Sequence, residues 1–188
     1  LPLVPVSDGV GRVVETGPGV TRFKVGDRVC PCFFQGWIGG EPTLARLTQS
    51  LGGPPDGPMA EYMAMPEDGL VPVPEHLSLE DAACLPCAAV TAWSGLVTRG
   101  RMQPGDVVLL QGTGGVSVFG LQLAAAAGAK PYITSSSDEK LARAKALGAV
   151  GTINYKTTPE WGKALLGLTG GVGAHQTLEV GGAGTLAQ

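Results

Sequence analysis

The sequence predicts an α/β protein in which a doubly wound parallel sheet follows a β-rich segment. From residue 78 onward, short aliphatic runs alternate with helix-like runs at the spacing of βαβ units. Before residue 78, short β-prone runs are separated by turn sequences such as GPG, VGD and GGPPDGP. This earlier pattern favours an antiparallel barrel or sandwich. We therefore expect two domains, over residues 1–77 and 78–188.

The first domain contains four strand candidates bounded by glycine, proline and aspartate turns. They are residues 11–17, 27–34, 60–66 and 69–74. Residues 37–58 have few apolar anchors, so we expect a surface excursion there.

The second domain begins with a helix that Ser78 caps, with Asp81 at its third position. Pro86 predicts a kink, or a second helix from Cys87 to Thr98. The aliphatic run 105–112 is typical of a strand buried on both faces of a parallel sheet.

Further helices and strands then alternate along the chain. Three helices are expected, at 115–128, 136–147 and 159–168. The first carries no charge and ends at Gly128. The second is capped by Ser136 with Glu139 and is ended by Gly148. The accompanying strands are expected at 130–134, 151–155 and 176–182. In the middle helix, Leu141, Ala144 and Leu147 fall on one face.

A glycine-rich run lies where the buried strand at 105–112 turns into the uncharged helix. Gly112 permits the tight turn, and Gly114 lets the backbone approach a pyrophosphate. The N–H groups freed at the helix start, from Gly115 onward, favour an anion. Ser117 replaces the third glycine of the usual pattern and is expected to loosen the helix packing slightly. The context predicts a dinucleotide site, with a nucleotide-free turn as the alternative.

The end of the next strand bears on the choice of cofactor. NAD sites place an acid there to bind the ribose 2′-hydroxyl. Here Ser135 and Ser136 follow Thr134, no acid occurs before Asp138, and Lys140 comes soon after. Small hydroxyls with a lysine suit a 2′-phosphate, so we predict NADPH rather than NADH. Alternatively, the serines only cap the following helix.

Charge and hydropathy exclude several partners. The net charge is −3 and no basic patch is present, which argues against nucleic acid. No apolar run approaches the roughly 20 residues of a membrane span. We expect a cytoplasmic protein with a small-molecule substrate.

The four cysteines form one C-x-C pair, Cys30 and Cys32, and one C-x-x-C pair, Cys84 and Cys87. Such pairs suit a four-cysteine zinc site. We favour reduced, partly buried thiols, because the first pair is tighter than most zinc knuckles and Pro86 interrupts the second.

Five motifs in order carry a resemblance to a known family. They are GVGRVVETGPGVTRFKVGDRV (9–29), GGPPDGPMAEYMAMPEDGLVPVPEHLS (52–78), LPCAAVTAWSGL (85–96), VLLQGTGGVS (108–117) and SSSDEKLARAKALGA (135–149). With these motifs the sequence resembles the medium-chain dehydrogenase/reductase superfamily. The resemblance implies a GroES-like β-barrel joined to a Rossmann domain. It also implies that a full family member carries further segments before Leu1 and beyond Gln188.

Zinc-dependent alcohol dehydrogenases of this superfamily carry a Gly-His-Glu motif whose histidine ligates the catalytic metal. The matching triplet here is Val6, Ser7 and Asp8, so the imidazole is absent. Cys87 is similar to a later cysteine ligand, but the four-cysteine structural zinc cluster has no counterpart over residues 33–58. The resemblance therefore points to the zinc-independent branch, similar to quinone oxidoreductases.

The resemblance also implies roles for individual residues. Lys140 and Tyr155 would contact the adenosine phosphate end, and Tyr155 could instead be a core aromatic. The pyrophosphate would lie against the backbone of Gly114, Gly115 and Val116. The nicotinamide would lie close to the backbone of Val180, Gly181 and Gly182.

Two residues are weak catalytic candidates. Thr91, on a helix that faces the cofactor cleft in the family, is one, with helix packing as the alternative. Asp8 is a candidate proton donor. His76 and His175 lie in loop contexts and receive no catalytic role.

The implied activity is hydride transfer from NADPH to a quinone, an enone or a related carbonyl without catalytic zinc. Two alternatives stay open: a zinc-containing alcohol dehydrogenase, and a crystallin-like protein that binds NADPH without turnover. Family members commonly dimerise through a sheet edge, so the full-length protein is expected to be a homodimer or homotetramer.

Overall fold

The computed structural model describes residues 2–186 and divides into two compact units. The first ends at Cys87 and the second begins at Ala88. The domain boundary that the sequence predicts, between residues 77 and 78, stays a prediction for the whole protein.

The first unit contains a three-stranded antiparallel sheet in the order β1-β2-β3. Its strands are β1 (Gly11–Arg12), β2 (Arg28–Pro31) and β3 (Leu70–Pro72). The central strand β2 is the buried one, and its Cys30 packs in a small core with Val73 and Ala82.

One predicted strand of this unit is wrong. Residues 60–66 form no ladder, and nearly all of them are exposed. An alternating pattern specifies a strand only where one face is buried, and here neither face is. The excursion at 37–58 is largely exposed, as predicted, although it contains the short helix α1 (Leu44–Leu47) and the buried Leu51.

A run of helical turns leads from the first unit into the second. The helix α2 (Leu79–Ala83) is capped by Ser78, which accepts a hydrogen bond from the Asp81 N–H as predicted. Leu85–Ala89 then forms a π-helical turn around Pro86, in keeping with the missing N–H of proline. It continues as α3 (Val90–Trp93) and a second π-helical turn over Ser94–Arg99.

The second unit is built on a four-stranded parallel sheet in the order β6-β5-β4-β7. The strands are β4 (Val107–Leu110), β5 (Lys130–Ser135), β6 (Gly151–Asn154) and β7 (Gln176–Leu178). The helices between them are α4 (Gly115–Ala126), α5 (Asp138–Ala146) and α6 (Trp161–Leu168).

Both faces of this sheet are covered, which confirms the predicted doubly wound arrangement. Alternate residues of β4 enter different cores, since successive side chains of a strand point to opposite faces. Val108 and Leu110 pack with residues of α4 and α5, and Val107 and Leu109 pack with residues of α6.

Of two predicted helix caps in this unit, the one at Gly128 is confirmed and the one at Ser136 is wrong. Gly128 ends α4 with a φ of 75°, the left-handed conformation that its predicted capping role requires. The cap of α5, in contrast, is Ser137 rather than Ser136, because the Ser137 hydroxyl accepts from the Lys140 N–H. The helix ends at Ala146, and Leu147, its C-cap, is 45% exposed instead of lying on the buried face with Leu141 and Ala144.

Within residues 2–186, no helix has both the length and the apolar character that a bilayer crossing requires.

Candidate functional site

The carboxyl ends of the parallel strands line a groove of about 490 Å³ in the second unit. Residues at or just after the carboxyl end of each of the four strands contribute to its wall. The lining residues are Gln111, Gly112, Gly114, Thr134, Tyr155, Pro159, Trp161, Val180, Gly181, Gly184 and Thr185. A crevice outside the carboxyl ends of parallel strands is where α/β sheets bind their ligands.

The glycine-rich run forms the floor of this groove. Gly112 turns the chain with a φ of 73°, and its N–H donates to the Thr134 hydroxyl at 3.1 Å. Gly114 is the N-cap of α4, and a Cβ added there would meet no heavy atom within 4 Å. The first bond of this helix runs from the Val118 N–H to the Gly114 carbonyl. The preceding N–H groups of α4 are therefore free to bind an anion.

Ser117 ties α4 to the end of β4. Its side chain is 1% exposed, and its hydroxyl donates to the Gln111 carbonyl at 2.6 Å. The serine thus adds a buried hydrogen bond at the close helix–strand approach. Whether it also loosens the packing slightly relative to glycine stays a prediction.

The hydroxyl cluster after β5 is only partly free. Ser135 is 3% exposed, and its hydroxyl lies 3.2 Å from that of Thr113 and accepts from the Ser137 N–H. Ser136 is half-buried, and Lys140 is exposed in the first turn of α5. The nearest acid, Asp138, accepts from the Asn154 amide at 2.7 Å.

The opposite end of the groove is a turn that follows β7. Glu179 accepts from the N–H groups of Gly181 and Gly182 and from the Thr185 hydroxyl. Burial raises the pKa of Glu179, but these bonds and one from Gln111 outweigh it, so the pKa lies below its usual value. The turn is therefore held by an ionised carboxylate at neutral pH.

The structure brings half of the predicted cofactor residues together in the groove. Gly112, Gly114, Tyr155, Val180 and Gly181 line it. Gly115 and Val116 begin α4 beside Gly114, while Ser135, Ser136 and Lys140 lie around the β5–α5 connection. These assignments stay predictions as regards the ligand.

Sequence reasoning missed several residues of the groove. The sequence patterns identify no role for four of its lining residues: Gln111, Thr134, Trp161 and Thr185. Of these, Gln111 and Thr134 lie at strand ends. Their position directly at the carboxyl ends of β4 and β5 is the signal that could have identified them.

The first unit holds the triplet that matches the family's metal-binding motif. Asp8 is half-buried and accepts from the Cys87 N–H at 2.6 Å and from the Ser7 hydroxyl. Val6 has a φ of 80°, which is rare for a β-branched residue and marks local strain. Asp8 thus anchors the chain at Cys87. Its predicted role in proton transfer stays a prediction.

The cysteines are all reduced. Burial raises the pKa of Cys30, and the nearby Asp8 and Cys32 add to this shift. Burial likewise raises the pKa of Cys32, against the opposing influence of Arg22. Both shifts favour the neutral thiol over the thiolate. Over residues 2–186, no cluster of three or more His, Cys, Asp or Glu suited to a metal ion is present.

Thr91, the other catalytic candidate, belongs to the second unit. It lies in α3 and its side chain is exposed. Neither of its suggested roles, cofactor contact or helix packing, is tested by this geometry.

A glycine-rich turn between a buried strand and a helix N-terminus, set in a parallel sheet, defines a dinucleotide-binding fold. The alcohol dehydrogenase GroES-like domain family matches residues 1–75, and the zinc-binding dehydrogenase family matches residues 115–188. The chain belongs to the medium-chain dehydrogenase/reductase superfamily.

Individual relatives agree with this assignment. A zinc-type alcohol dehydrogenase-like protein of Schizosaccharomyces pombe is 50% identical across 100% of the chain and 55% of its own length. A solved NAD-dependent alcohol dehydrogenase is 42% identical, with a TM-score of 0.84 over 94% of this chain and 53% of that one. A quinone oxidoreductase of Pseudomonas syringae is 35% identical, with a TM-score of 0.72 over 91% and 46%. The chain spans about half the length of the curated relatives it matches.

Proposed function

We propose that this chain is part of an NADPH-dependent oxidoreductase that transfers hydride to quinones, enones or related carbonyls without catalytic zinc. The observation that carries the proposal is the groove at the carboxyl ends of the parallel strands, with Gly114 and the free N–H groups of α4 at its floor. This cradle fits a dinucleotide, because it lacks a Cβ at the point of closest approach and faces an anion with a helix N-terminus.

The choice of NADPH is supported by the residues after β5. Ser135 and Ser136 present no charge there, and the exposed Lys140 supplies a cation in the next turn. Of the two acids that begin α5, Asp138 accepts a hydrogen bond from the Asn154 amide, and Glu139 follows it in the first turn. A 2′-phosphate would thus meet hydroxyls and a lysine instead of the carboxylate that NAD sites use.

Zinc independence is supported by the donor set in the first unit. Ser7 stands where the family's metal-binding enzymes have histidine, and its hydroxyl is engaged by Asp8. Asp8 is itself bound to the Cys87 N–H, which ties up one of its oxygens. A neutral hydroxyl is a poor substitute for imidazole as a zinc ligand.

The protein residues would then bind and orient the reactants. The nicotinamide supplies the hydride when the cofactor is bound, and an acceptor that is already electron-poor requires less polarisation than a simple ketone. Gly114, Gly115 and Val116 would hold the pyrophosphate, and Val180 and Gly181 would support the nicotinamide half.

A second candidate is an alcohol dehydrogenase that acts on small alcohols. It is favoured by the names of the relatives, several of which are alcohol dehydrogenases, one of them NAD-dependent. The third possibility, an NADPH-binding protein without turnover, shares the groove. A cytoplasmic location and a homodimeric or homotetrameric state also stay proposals for the full-length protein.

The test is a binding titration of the full-length protein with NADPH and NADH, followed by quenching of tryptophan emission, since Trp161 lines the groove. We expect NADPH to bind at least about tenfold more tightly, a difference of about 1.4 kcal/mol. Ser135→Asp places a carboxylate at the end of β5 and is expected to reverse this preference. As a matched control, Gln122→Glu adds a charge on the exposed face of α4 and is expected to leave the ratio unchanged. Equal affinity of the wild type for both cofactors would refute the NADPH assignment.

Activity and metal content separate the remaining candidates. A panel of quinones, enones and alcohols assayed with the preferred cofactor identifies the substrate class. Stoichiometric zinc whose removal abolishes turnover would support the alcohol dehydrogenase instead. Tight NADPH binding without turnover of any panel member would support the non-catalytic protein.

A further inference from the structure

The side chain of Glu179 holds the turn after β7 through hydrogen bonds. The Glu179 carboxylate accepts from the Gly181 N–H, from the Gly182 N–H at 2.8 Å, and from the Thr185 hydroxyl at 2.9 Å. Three donors from a five-residue stretch thus converge on one carboxylate. The backbone of this turn has little freedom left while Glu179 is in place and ionised.

The same turn forms one wall of the groove. Val180, Gly181, Gly184 and Thr185 line it, and Val180 is 52% exposed. Thr185 uses its hydroxyl for Glu179 and for the Gly182 carbonyl, so this wall is fixed from within the turn. A ligand in the groove would therefore meet a preformed surface.

Gln111 connects this turn to the floor of the groove. It directly follows β4, is 6% exposed, and its side chain helps to hold the pKa of Glu179 below its usual value. Its side-chain oxygen Oε1 has no hydrogen-bond partner among residues 2–186, and a Cβ at position 181 would lie 3.1 Å from it. Gln111 and Glu179 thus join the end of β4 to the end of β7.

The position of the turn tells which part of a dinucleotide it would meet. The pyrophosphate is bound at the first strand–helix turn, after β4, and the adenosine ribose at the end of the next strand, β5. Because β7 lies on the other side of β4 from β5, the turn at 180–185 faces the opposite half of the ligand.

We propose that Glu179 is a positioning residue, which holds the turn at 180–185 in the shape that receives the nicotinamide half of the dinucleotide. The inference rests on the proposed NADPH site and adds a residue to it. Glu179 acts through the turn and through Gln111, and it does not contact the adenosine half. Loss of its charge should therefore weaken binding of the whole dinucleotide and spare a fragment that lacks nicotinamide.

The test compares two ligands on the full-length protein, NADPH and adenosine 2′,5′-bisphosphate. Glu179→Gln keeps the size of the side chain but removes one of the two acceptor oxygens. We expect it to raise the Kd for NADPH by about tenfold and to change that for the bisphosphate by less than about twofold. Glu179→Asp keeps the charge and is expected to recover part of the NADPH affinity.

Two further variants guard the interpretation. Glu41→Gln removes a carboxylate from an exposed position in the first unit and should change neither Kd. Thr185→Val removes the hydroxyl that binds Glu179 at nearly the same volume, and it is the test should Glu179→Gln fail to fold. Thr185→Val should raise the Kd for NADPH by a smaller factor than Glu179→Gln does, and it should leave the Kd for the bisphosphate unchanged.

The outcomes are distinguishable. If the wild type binds neither ligand, the proposed NADPH site itself is refuted, and this inference with it. If the wild type binds both and Glu179→Gln weakens both equally, or neither, then the positioning role is refuted while the site stands.

Discussion

Replacing Ser117 with glycine would restore the third glycine of the dinucleotide-binding pattern, yet we expect it to destabilise the protein. The Ser117 hydroxyl donates to the Gln111 carbonyl at 2.6 Å, and the side chain is 1% exposed.

The magnitude follows from two separate losses. Removing the hydroxyl leaves the buried Gln111 carbonyl without this donor, which costs about 1–3 kcal/mol. Glycine in a helix interior costs about a further 1 kcal/mol relative to alanine. We therefore expect Ser117→Ala to lower the free energy of unfolding by about 1–3 kcal/mol, and Ser117→Gly by about 2–4 kcal/mol.

Urea denaturation followed by far-UV circular dichroism measures both values. With a denaturant slope of about 2 kcal/mol per molar, a loss of about 2 kcal/mol moves the midpoint by roughly 1 M. The control is Gln122→Ala, which removes an exposed hydrogen bond to the Val118 carbonyl in the same helix. It should stay within about 0.5 kcal/mol of the wild type.

The order of the variants is the decisive result. If Ser117→Gly is as stable as the wild type, the hydroxyl does not hold α4 to β4. If Ser117→Gly is more stable than Ser117→Ala, the site needs room rather than a donor, and our account of the serine is wrong.

Three further predictions concern other strained or charged positions. Gly57→Ala should destabilise the first unit by about 2–4 kcal/mol, because the new Cβ would overlap the Val6 carbonyl oxygen, whereas Gly17→Ala, with open space around it, should stay near the wild type in urea denaturation. Val6→Gly should raise the free energy of unfolding by about 1 kcal/mol in the same assay, since relief of the positive φ exceeds the entropy cost of glycine. Because the pKa of Glu179 is lowered in the folded protein, its stabilising contribution is complete at neutral pH and is lost as the pH falls through that lowered value. Thermal midpoints measured from pH about 7 to about 3 should therefore fall less in Glu179→Gln than in the wild type.

The second unit could be predicted closely because its signals are local and repeated. The continuous aliphatic run at β4 is typical of a strand buried on both faces, and its four residues are all buried. The conformation of Gly128 follows from its place just after an apolar helix. The residues that follow β4 and β7 meet at one edge of the sheet, because parallel strands bring their carboxyl ends together whatever their side chains.

What failed depended on details that a pattern does not contain. Ser136 and Ser137 are equally good caps by residue type, and only the backbone decided that Ser137 accepts from the Lys140 N–H. Residues 60–66 have strand-like composition, but no neighbouring segment pairs with them. The interactions of Glu179 were invisible for another reason: the predicted strand ran to residue 182, whereas the ladder ends at Leu178.

In the triplet Val6–Ser7–Asp8 the family's metal-binding histidine is missing, and a hydrogen bond from the Cys87 N–H to Asp8 is present. Without the imidazole, the sequence suggested only that a metal ligand was lost. The structure shows that Asp8 binds the Cys87 N–H, which lies in the π-helical turn around Pro86. The proline prevents regular helical bonding there, so a carboxylate at this point stabilises the turn. Asp8 is therefore held in place by a structural hydrogen bond to this turn.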